Sequence, residues 1–363
     1  MQLVQLDSHS GQERRVADFI KSKLVAMGLT PWEDDAGKAV GGDAGNVLVK
    51  LPATGAGPVM LLCAHMDTVE PGCGVRPQVR DGVVRAAGDT VLGADDKAGV
   101  VAILEALRWV LEQNQPHGGL EVVFTIWEEN GLLGAKNLDY TALEAKMGFV
   151  LDSNGSPGAI VTNAPSHAKI RATIRGRSAH AGLCPEAGVS AIQIAAHAIA
   201  GMELGRIDEE TTCNIGIISG GKATNIVPDL VVLEGEARSR DAAKWARQTR
   251  EICRAIEEAA AKFAGQAELQ VATEYHEFNL DATTLPVRVA REAAQALGLP
   301  FSVNKTGGGS DANVFNRKGI PTVVLGIGMK QVHTTEEYIS VADLLNNVRY
   351  LFSIIQTAAK LKE

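Results

Sequence analysis

The sequence predicts an α/β protein whose mostly parallel sheet is interrupted by a smaller inserted domain. Three observations predict this fold. Strand-like apolar runs alternate with helical stretches in the first part of the chain, which is typical of a parallel sheet covered by helices. Near Pro165 the order changes to βαββαβ, which is a ferredoxin-like unit. The earlier alternation resumes after about residue 278.

The first part begins with a helix. Ser10 and Glu13 have the spacing of a capping box, and apolar residues recur on one face from Val16 to Leu24, so we expect a helix between Ser10 and Gly28. The next predicted elements are strands at 47–51 and 59–63, a helix at 97–111, a strand at 120–127, a helix after residue 131 and a strand at 147–151.

The inserted part and the return to the first domain follow the same reasoning. The insertion is predicted to contain a strand at 167–175, a helix at 188–204, strands at 212–218 and 227–237, a helix at 241–263 and a strand at 268–275. A helix at 285–297, a strand at 321–325 and a helix at 341–360 complete the chain. We therefore expect a catalytic domain at 1–164 and 278–363, with an inserted domain at 165–277.

The composition excludes several classes of function. With 363 residues, 45% of them hydrophobic, the chain can bury the cores of two or three domains. Its net charge of -8 and lack of a basic run argue against a nucleic-acid partner. No apolar run approaches the ~18 residues of a membrane span, and no export signal is visible. Five cysteines without CxxC spacing indicate neither disulfides nor a thiolate zinc site, so the cytoplasm is predicted.

Acidic and histidine side chains stand where the strand-like runs end or shortly after them. Buried charges are costly unless they are paired or bind metal, and the carboxyl ends of parallel strands meet at one edge of a sheet. A hydrolytic site with two metal ions explains their recurrence. The residues concerned are His65, Asp67, Asp95, Asp96, Glu128, Glu129, Asp152 and His333.

The spacing of these residues suggests different roles. Asp67 lies two residues after His65 in an extended segment, so its carboxylate can hold the imidazole. Asp95 lies in a sharp turn before a helix and is the best candidate to bridge two cations. Glu128 and Glu129 should point in opposite directions in an extended chain. One of the two would bind metal and the other would act as general base.

These segments resemble the di-zinc metallopeptidase family that includes peptidase T, aminoacylases, glutamate carboxypeptidase and acetylornithine deacetylase. The similar segments are CAHMDTVEPG, GADDKAGVVAILEAL, WEENGLLGAKNLD, FVLDSNG, GRSAHAG, TNIVPD, EGEARSRD, GGGSDANVF and QVHTTEEY. The resemblance implies that His65, Asp95 and Asp152 hold one ion and that Asp95, Glu129 and His333 hold the second. It also implies that Glu128 is the general base, that Asp67 orients His65, and that a cis peptide joins Asp95 to Asp96.

The resemblance further implies that the inserted domain is a lid and dimerisation domain. His180 would stabilise the oxyanion, within its own subunit or across a homodimer. Arg238, Asn225, Gly308 and Gly309 would bind the substrate, with the guanidinium on the terminal carboxylate of a peptide. The alternatives are an ordinary loop histidine at His180 and a structural ion pair at Arg238.

The function predicted from these residues is a cytoplasmic aminopeptidase of the peptidase T type, a tripeptidase acting on short peptides. Its two divalent ions would be zinc, with cobalt or manganese as alternatives. The chain is shorter than peptidase T, which leaves the preferred peptide length open. An N-acyl amino acid deacylase is the alternative among hydrolases, since the same site cleaves either amide. A non-catalytic binding protein on the same fold is the alternative from another class.

Overall fold

The computed structural model describes residues 1–361 of the chain. Its strands are β1 (Trp32–Glu33), β2 (Val47–Leu51), β3 (Met60–His65), β4 (Pro77–Arg80), β5 (Val83–Ala86), β6 (Leu120–Thr125), β7 (Met147–Ser153), β8 (Ala159–Ala164), β9 (Ser166–Arg175), β10 (Gly205–Arg206), β11 (Thr211–Gly220), β12 (Leu230–Ser239), β13 (Gln266–Tyr275), β14 (Phe278–Asn279), β15 (Ser302–Lys305), β16 (Thr322–Gly326) and β17 (Tyr338–Ser340). Its α-helices are α1 (Arg14–Ala26), α2 (Ala36–Val40), α3 (Ala94–Glu112), α4 (Leu133–Lys136), α5 (Ala191–Ala200), α6 (Ala242–Lys262), α7 (Leu285–Ala296), α8 (Asp311–Arg317) and α9 (Val341–Ala358).

The chain forms two compact units. Unit 1 contains residues 1–163 and 279–305 and the segment from Ser310 to the end of the described chain. Unit 2 contains residues 164–278 together with residues 306–309. The predicted α/β fold with a mostly parallel main sheet and a separate antiparallel sheet is confirmed.

Unit 1 is built on a nine-stranded sheet in the order β1-β2-β6-β3-β7-β16-β8-β14, with β15 paired to β8. The four central strands, β6, β3, β7 and β16, are parallel to one another. Every residue of β3 and β6 is buried, which explains their mostly apolar sequences. The exceptions lie at or next to the strand ends, with His65 in β3 and with Glu121 and Thr125 in β6. Charged side chains can therefore enter this sheet only where its central strands end.

The structure corrects the predicted start of the first helix. Helix α1 begins at Arg14, and no side chain of the described residues caps it. The Ser10 hydroxyl instead donates to Asp67 Oδ2 at 2.7 Å, and Glu13 Oε1 accepts the N–H groups of Gly11 and Trp127. The capping-box prediction was wrong because both side chains bind groups outside the helix. A three-stranded sheet of β17, β5 and β4 was not predicted, since its strands have only three or four residues.

Unit 2 is a five-stranded antiparallel sheet in the order β10-β11-β12-β9-β13. Its elements follow the predicted βαββαβ order, with the short strand β10 added at one edge. Helices α5 and α6 pack against β9 and β12 around a separate apolar core. Helix α5 is shorter than predicted at both ends. The Ser190 hydroxyl caps its start by accepting the N–H of Gln193 at 3.2 Å, and Gly201 is its C-cap residue.

None of the helices in residues 1–361 combines the length and the apolar character that crossing a membrane requires.

Candidate metal centre

His65 stands at the end of β3 and is 2% exposed. Its Nε2 lies 3.2 Å from Asp95 Oδ1 and 4.0 Å from Asp152 Oδ1. Its Nδ1 lies 3.0 Å from the backbone carbonyl oxygen of Asp67 and 3.5 Å from the carboxylate of that residue. Burial lowers the pKa of His65, but the carboxylates of Asp67 and Asp95 outweigh burial and raise it. An Nδ1–H that donates to a carbonyl leaves Nε2 with a lone pair for a metal ion.

Asp95 presents one carboxylate oxygen to each of two histidines. It lies in the turn that opens α3, just after Gly93, whose φ of 72° favours glycine, and its bond to Asp96 is cis. Asp95 Oδ1 is 3.2 Å from His65 Nε2, and Asp95 Oδ2 is 3.2 Å from His333 Nε2. Burial raises the pKa of Asp95, but hydrogen bonds with the two histidines hold it below its ordinary value.

Glu128 and Glu129 both contribute to the cluster. The segment after β6 is not extended, since Trp127 has a φ of 52° and the backbone turns there. The expected opposite orientation of the two side chains was therefore wrong, because it assumed an extended chain. The Asp67 carboxylate accepts the N–H of Glu128 at 3.0 Å and the N–H of Glu129 at 3.2 Å. Asp67 thus holds two parts of the site, the imidazole of His65 and the turn that contains Glu128 and Glu129.

The two glutamates nevertheless have different neighbours. Glu129 Oε2 lies 3.2 Å from His333 Nε2. A ligand atom of Glu128 lies within 4.8 Å of atoms of His65 and Asp152. Burial is the main cause that raises the pKa of Glu128 well above its ordinary value, and nearby carboxylates add to it. Burial also raises the pKa of Glu129, so what distinguishes the two carboxylates is the imidazole of His333 beside Glu129.

Asp152 and His333 complete the cluster and differ in their exposure to solvent. Asp152 lies near the end of β7 with its side chain 11% exposed, and burial followed by the charge of Asp95 raises its pKa. The His333 side chain is 51% exposed and lies in the segment between β16 and β17. Hydrogen bonds with Asp95 and Glu129 raise the pKa of His333 to about 10. Metal binding at His333 would therefore have to displace a proton.

The donor set fits divalent metal ions. Two groups of three ligand atoms lie within 4.8 Å of one another, His65 with Glu128 and Asp152, and His65 with Asp95 and Glu129. Imidazole nitrogens mixed with carboxylate oxygens are ordinary zinc ligands. Glu129 Oε1 is buried without a hydrogen-bond partner in the described residues. A cation would satisfy that oxygen, which otherwise costs free energy.

The sequence interpretation counted Asp96 among the residues of the metal site without a separate role, and it gave no role to Asp311. Asp96 Oδ2 accepts the N–H of His65 at 3.1 Å, and its other oxygen accepts the N–H of Gly99. Asp311 Oδ2 accepts the hydroxyl of Thr125 at 2.6 Å, and Thr125 is paired with His65 between β6 and β3. In the sequence, Asp96 is recognisable only as an acid next to a proposed ligand, and Asp311 only as an acid after a glycine-rich loop. Such a position does not show whether the carboxylate is buried against the site or exposed to solvent.

His180 lies in unit 2 and is exposed. Its Nδ1 accepts the N–H groups of Gly182 and Leu183, both at 3.1 Å. A neutral imidazole that accepts at Nδ1 carries its proton at Nε2 and can donate from there. The neighbouring segment contains Asn225, whose carbonyl oxygen accepts the N–H of Ala181 at 2.9 Å.

Arg238 is already paired within unit 2. Its Nε and one terminal nitrogen each donate to the Glu236 carboxylate at 3.0 Å. The other terminal nitrogen lies 3.4 Å from the Tyr275 hydroxyl and 3.4 Å from the carbonyl oxygen of Gly307. Gly309 packs so closely on Tyr275 that a Cβ atom would lie 2.3 Å from the ring. The sequence interpretation of Arg238 did not consider Glu236.

Comparison with known proteins decides the family. Residues 61–357 match the model of Peptidase family M20/M25/M40. The chain belongs to this family. The protein YqjE of Bacillus subtilis (strain 168) is 44% identical over 360 residues, which cover 99% of this chain and 97% of YqjE.

Two solved structures are similar to this M20-family chain over nearly their whole length. Aminopeptidase PepT from Bacillus cereus ATCC 10987 is 45% identical with a TM-score of 0.91, covering 99% of this chain and 97% of that one. A tripeptidase from Staphylococcus aureus subsp. aureus Mu50 is 42% identical with a TM-score of 0.95, covering 99% and 96%. The predicted resemblance to peptidase T is confirmed, and the chain is a peptide-bond hydrolase.

Proposed function

We propose that this chain is a metallo-aminopeptidase of the peptidase T type that removes the N-terminal residue of short peptides. The observation that carries the proposal is Asp95, whose two oxygens lie 3.2 Å from His65 and from His333. In this proposal His65, Asp95 and Asp152 hold a first divalent ion, and Asp95, Glu129 and His333 hold a second. Zinc is the proposed metal, with cobalt or manganese as substitutes.

The protein residues supply the proton transfers. Bound divalent ions would polarise the peptide carbonyl and make water more acidic. Glu128 accepts a proton from the attacking water and then passes it to the leaving amine. Its burial and raised pKa support this role, because a carboxylate with a raised pKa is a stronger proton acceptor than an ordinary one.

Residues of unit 2 are proposed to bind the substrate. The Nε2–H of His180 would donate to the oxyanion, which agrees with the two N–H groups held at its Nδ1. Arg238 would contact the peptide carboxylate through the terminal nitrogen that Glu236 does not occupy. Asn225, Gly308 and Gly309 would line the same end of the substrate.

Two further parts of the proposal concern the setting of the enzyme. All five cysteines are free, which supports the reducing cytoplasm. Unit 2 would also form the interface of a homodimer, and the exposure of Ile217 (53%) and Ile218 (55%) on β11 supports this.

The test measures metal content and substrate choice together. Purified protein loaded with zinc, cobalt or manganese should hold two ions per chain. It should hydrolyse dipeptides, tripeptides or tetrapeptides with a free N-terminal amine, and a chelator should abolish turnover. Acetylated amino acids should be poor substrates. Preference for acetylated amino acids would establish a deacylase instead, and undiminished turnover in chelator would overturn the metal proposal.

A further inference from the structure

Glu337 is a buried carboxylate placed directly behind the proposed metal bridge. It is 2% exposed. Its Oε1 accepts the backbone N–H of Asp95 at 2.9 Å, and its Oε2 accepts the backbone N–H of Gly93 at 2.7 Å. Both oxygens are thus used on the turn that presents the Asp95 side chain. The two residues are 242 positions apart in the sequence, so only the tertiary fold creates this contact.

The same segment carries His333. Residues 331–337 form a loop closed at its base by a bridge between Lys330 and Tyr338, with N–H to carbonyl distances of 2.9 and 3.1 Å in the two directions. A turn within the loop joins the N–H of Glu337 to the carbonyl oxygen of Thr334 at 3.1 Å. Glu337 therefore connects the loop of His333 to the turn of Asp95. These two segments carry two of the three residues proposed to bind the second ion.

Similar contacts recur around the centre. Asp96 accepts the N–H of His65, and Asp67 accepts the N–H groups of Glu128 and Glu129. A residue whose backbone N–H is held by a buried carboxylate has little freedom to move its backbone, so the position from which its side chain extends is fixed. Support of this kind from outside the ligand shell sets metal affinity.

We propose that Glu337 is a positioning residue for the second ion, the one assigned to Asp95, Glu129 and His333. This inference rests on the proposed metal centre. Its chemical requirement is a carboxylate, because two N–H donors need two acceptor oxygens. A glutamine would offer one oxygen and one NH₂ group, and the NH₂ group would face a backbone donor. Asp95 is shared by both ions, but the other ligands of the first ion, His65 and Asp152, do not contact the loop of Glu337 in the described hydrogen bonds. Two of the three ligands of the second ion depend on that loop, so the second ion should be affected more.

The experiment compares metal binding by wild type, Glu337→Gln and two control variants, using zinc titration against a chelator of known affinity. In Glu337→Gln the second zinc should bind ~10–100-fold more weakly, while the first zinc should keep its affinity within a few-fold. Peptide hydrolysis should then recover at high zinc, since the ligands themselves are intact.

The controls separate positioning from general destabilisation. Glu121→Gln removes another buried carboxylate, 3% exposed, which accepts the backbone N–H groups of Glu144 and Ala145 at 3.0–3.1 Å at the opposite end of β6. It should lower the melting temperature of the metal-free protein without changing either zinc affinity. Glu336→Gln changes the exposed neighbour and should change neither property.

Each outcome decides a different statement. Two zinc ions in wild type with an unchanged second affinity in Glu337→Gln would overturn the role of Glu337 and leave the proposed function standing. Equal weakening of both ions in Glu337→Gln and in Glu121→Gln would also overturn it, since that pattern reports stability alone. No zinc binding in wild type would instead reject the proposed function itself.

Discussion

Units 1 and 2 hold their candidate functional side chains in different ways. In unit 1, His65 and Glu128 are buried, and their backbone N–H groups are held by carboxylates from distant segments. In unit 2, His180 is exposed, and the hydrogen bonds to its ring within residues 1–361 come from the N–H groups of residues two and three positions later. Close placement of several carboxylates requires a rigid frame, because these charges repel one another until a cation arrives. Substitutions should therefore have large effects in unit 1 and graded effects in unit 2.

The largest effect is expected for Asp95→Ala. This change removes the carboxylate that lies between His65 and His333, so metal content should fall for both ions and kcat/KM should fall by roughly 10³-fold or more, since bound metals supply several kcal/mol. Metal analysis and peptide hydrolysis measure it. Asp35→Ala, at an exposed position of unit 1, is the matched control and should retain both. Full metal content in Asp95→Ala would contradict the expectation that substitutions in unit 1 have larger effects than those in unit 2.

A smaller loss is expected for Glu128→Gln. The amide keeps the shape of the side chain but cannot accept a proton, so zinc content should be preserved while kcat falls ~10²–10⁴-fold. Zinc analysis and kcat on a tripeptide measure the two properties separately. Glu129→Gln is the paired variant and should lose zinc. If Glu128→Gln released zinc and Glu129→Gln kept it, the roles of the two neighbours would be exchanged.

In unit 2, Arg238→Ala should produce a graded effect. A hydrogen bond to a charged group contributes about 1.5–3 kcal/mol, so kcat/KM for a peptide with a free carboxylate should fall about 10–100-fold. Amidation of the peptide C-terminus should have a similar effect, and the two changes should not add, since both remove one contact. Arg171→Ala, which removes an exposed ion pair with Glu234 on the same sheet, is the control. Strong discrimination against amidated peptides in Arg238→Ala would place carboxylate recognition elsewhere.

The smallest effect concerns stability alone. Burial raises the pKa of Glu33, but hydrogen bonds from Arg14, the N–H of Gly45 and Lys21 lower it from 4.5 to about 2. A lowered pKa means that this stabilisation is complete above about pH 4.5 and is lost as pH falls towards 2. Glu33→Gln should cost about 1–2 kcal/mol at neutral pH after allowance for solvent screening.

Denaturant unfolding of wild type and Glu33→Gln at several pH values measures this difference. The free-energy gap should close towards pH 2, and kcat/KM at neutral pH should be unchanged. A gap independent of pH would contradict the assignment. Lost activity would show that unit 1 responds to any destabilisation, which would weaken the contrast between the two units.

The sequence by itself predicted the fold class and the residues of the cluster. Buried central strands leave a continuous apolar record, and the acids and histidines stand out because they interrupt it. The βαββαβ order of unit 2 was equally visible from its alternation. The ion pair between Glu236 and Arg238 could have been predicted from the sequence but was not. Glu236 and Arg238 are two apart on β12, so their side chains share a face of the strand.

Only the tertiary structure showed which acids accept backbone N–H groups of distant segments. Ser10 and Glu13 have the spacing of a helix cap, yet they bind Asp67 and the backbone of Trp127. Glu337 contacts the N–H of Asp95 across 242 positions. The spacing of residues in the sequence predicts helices, strands and turns, because the patterns that define them involve residues close together in the chain. Backbone donors that meet a carboxylate from a distant segment do so only when the sheet and its loops bring them together, and the sequence carries no local record of that meeting.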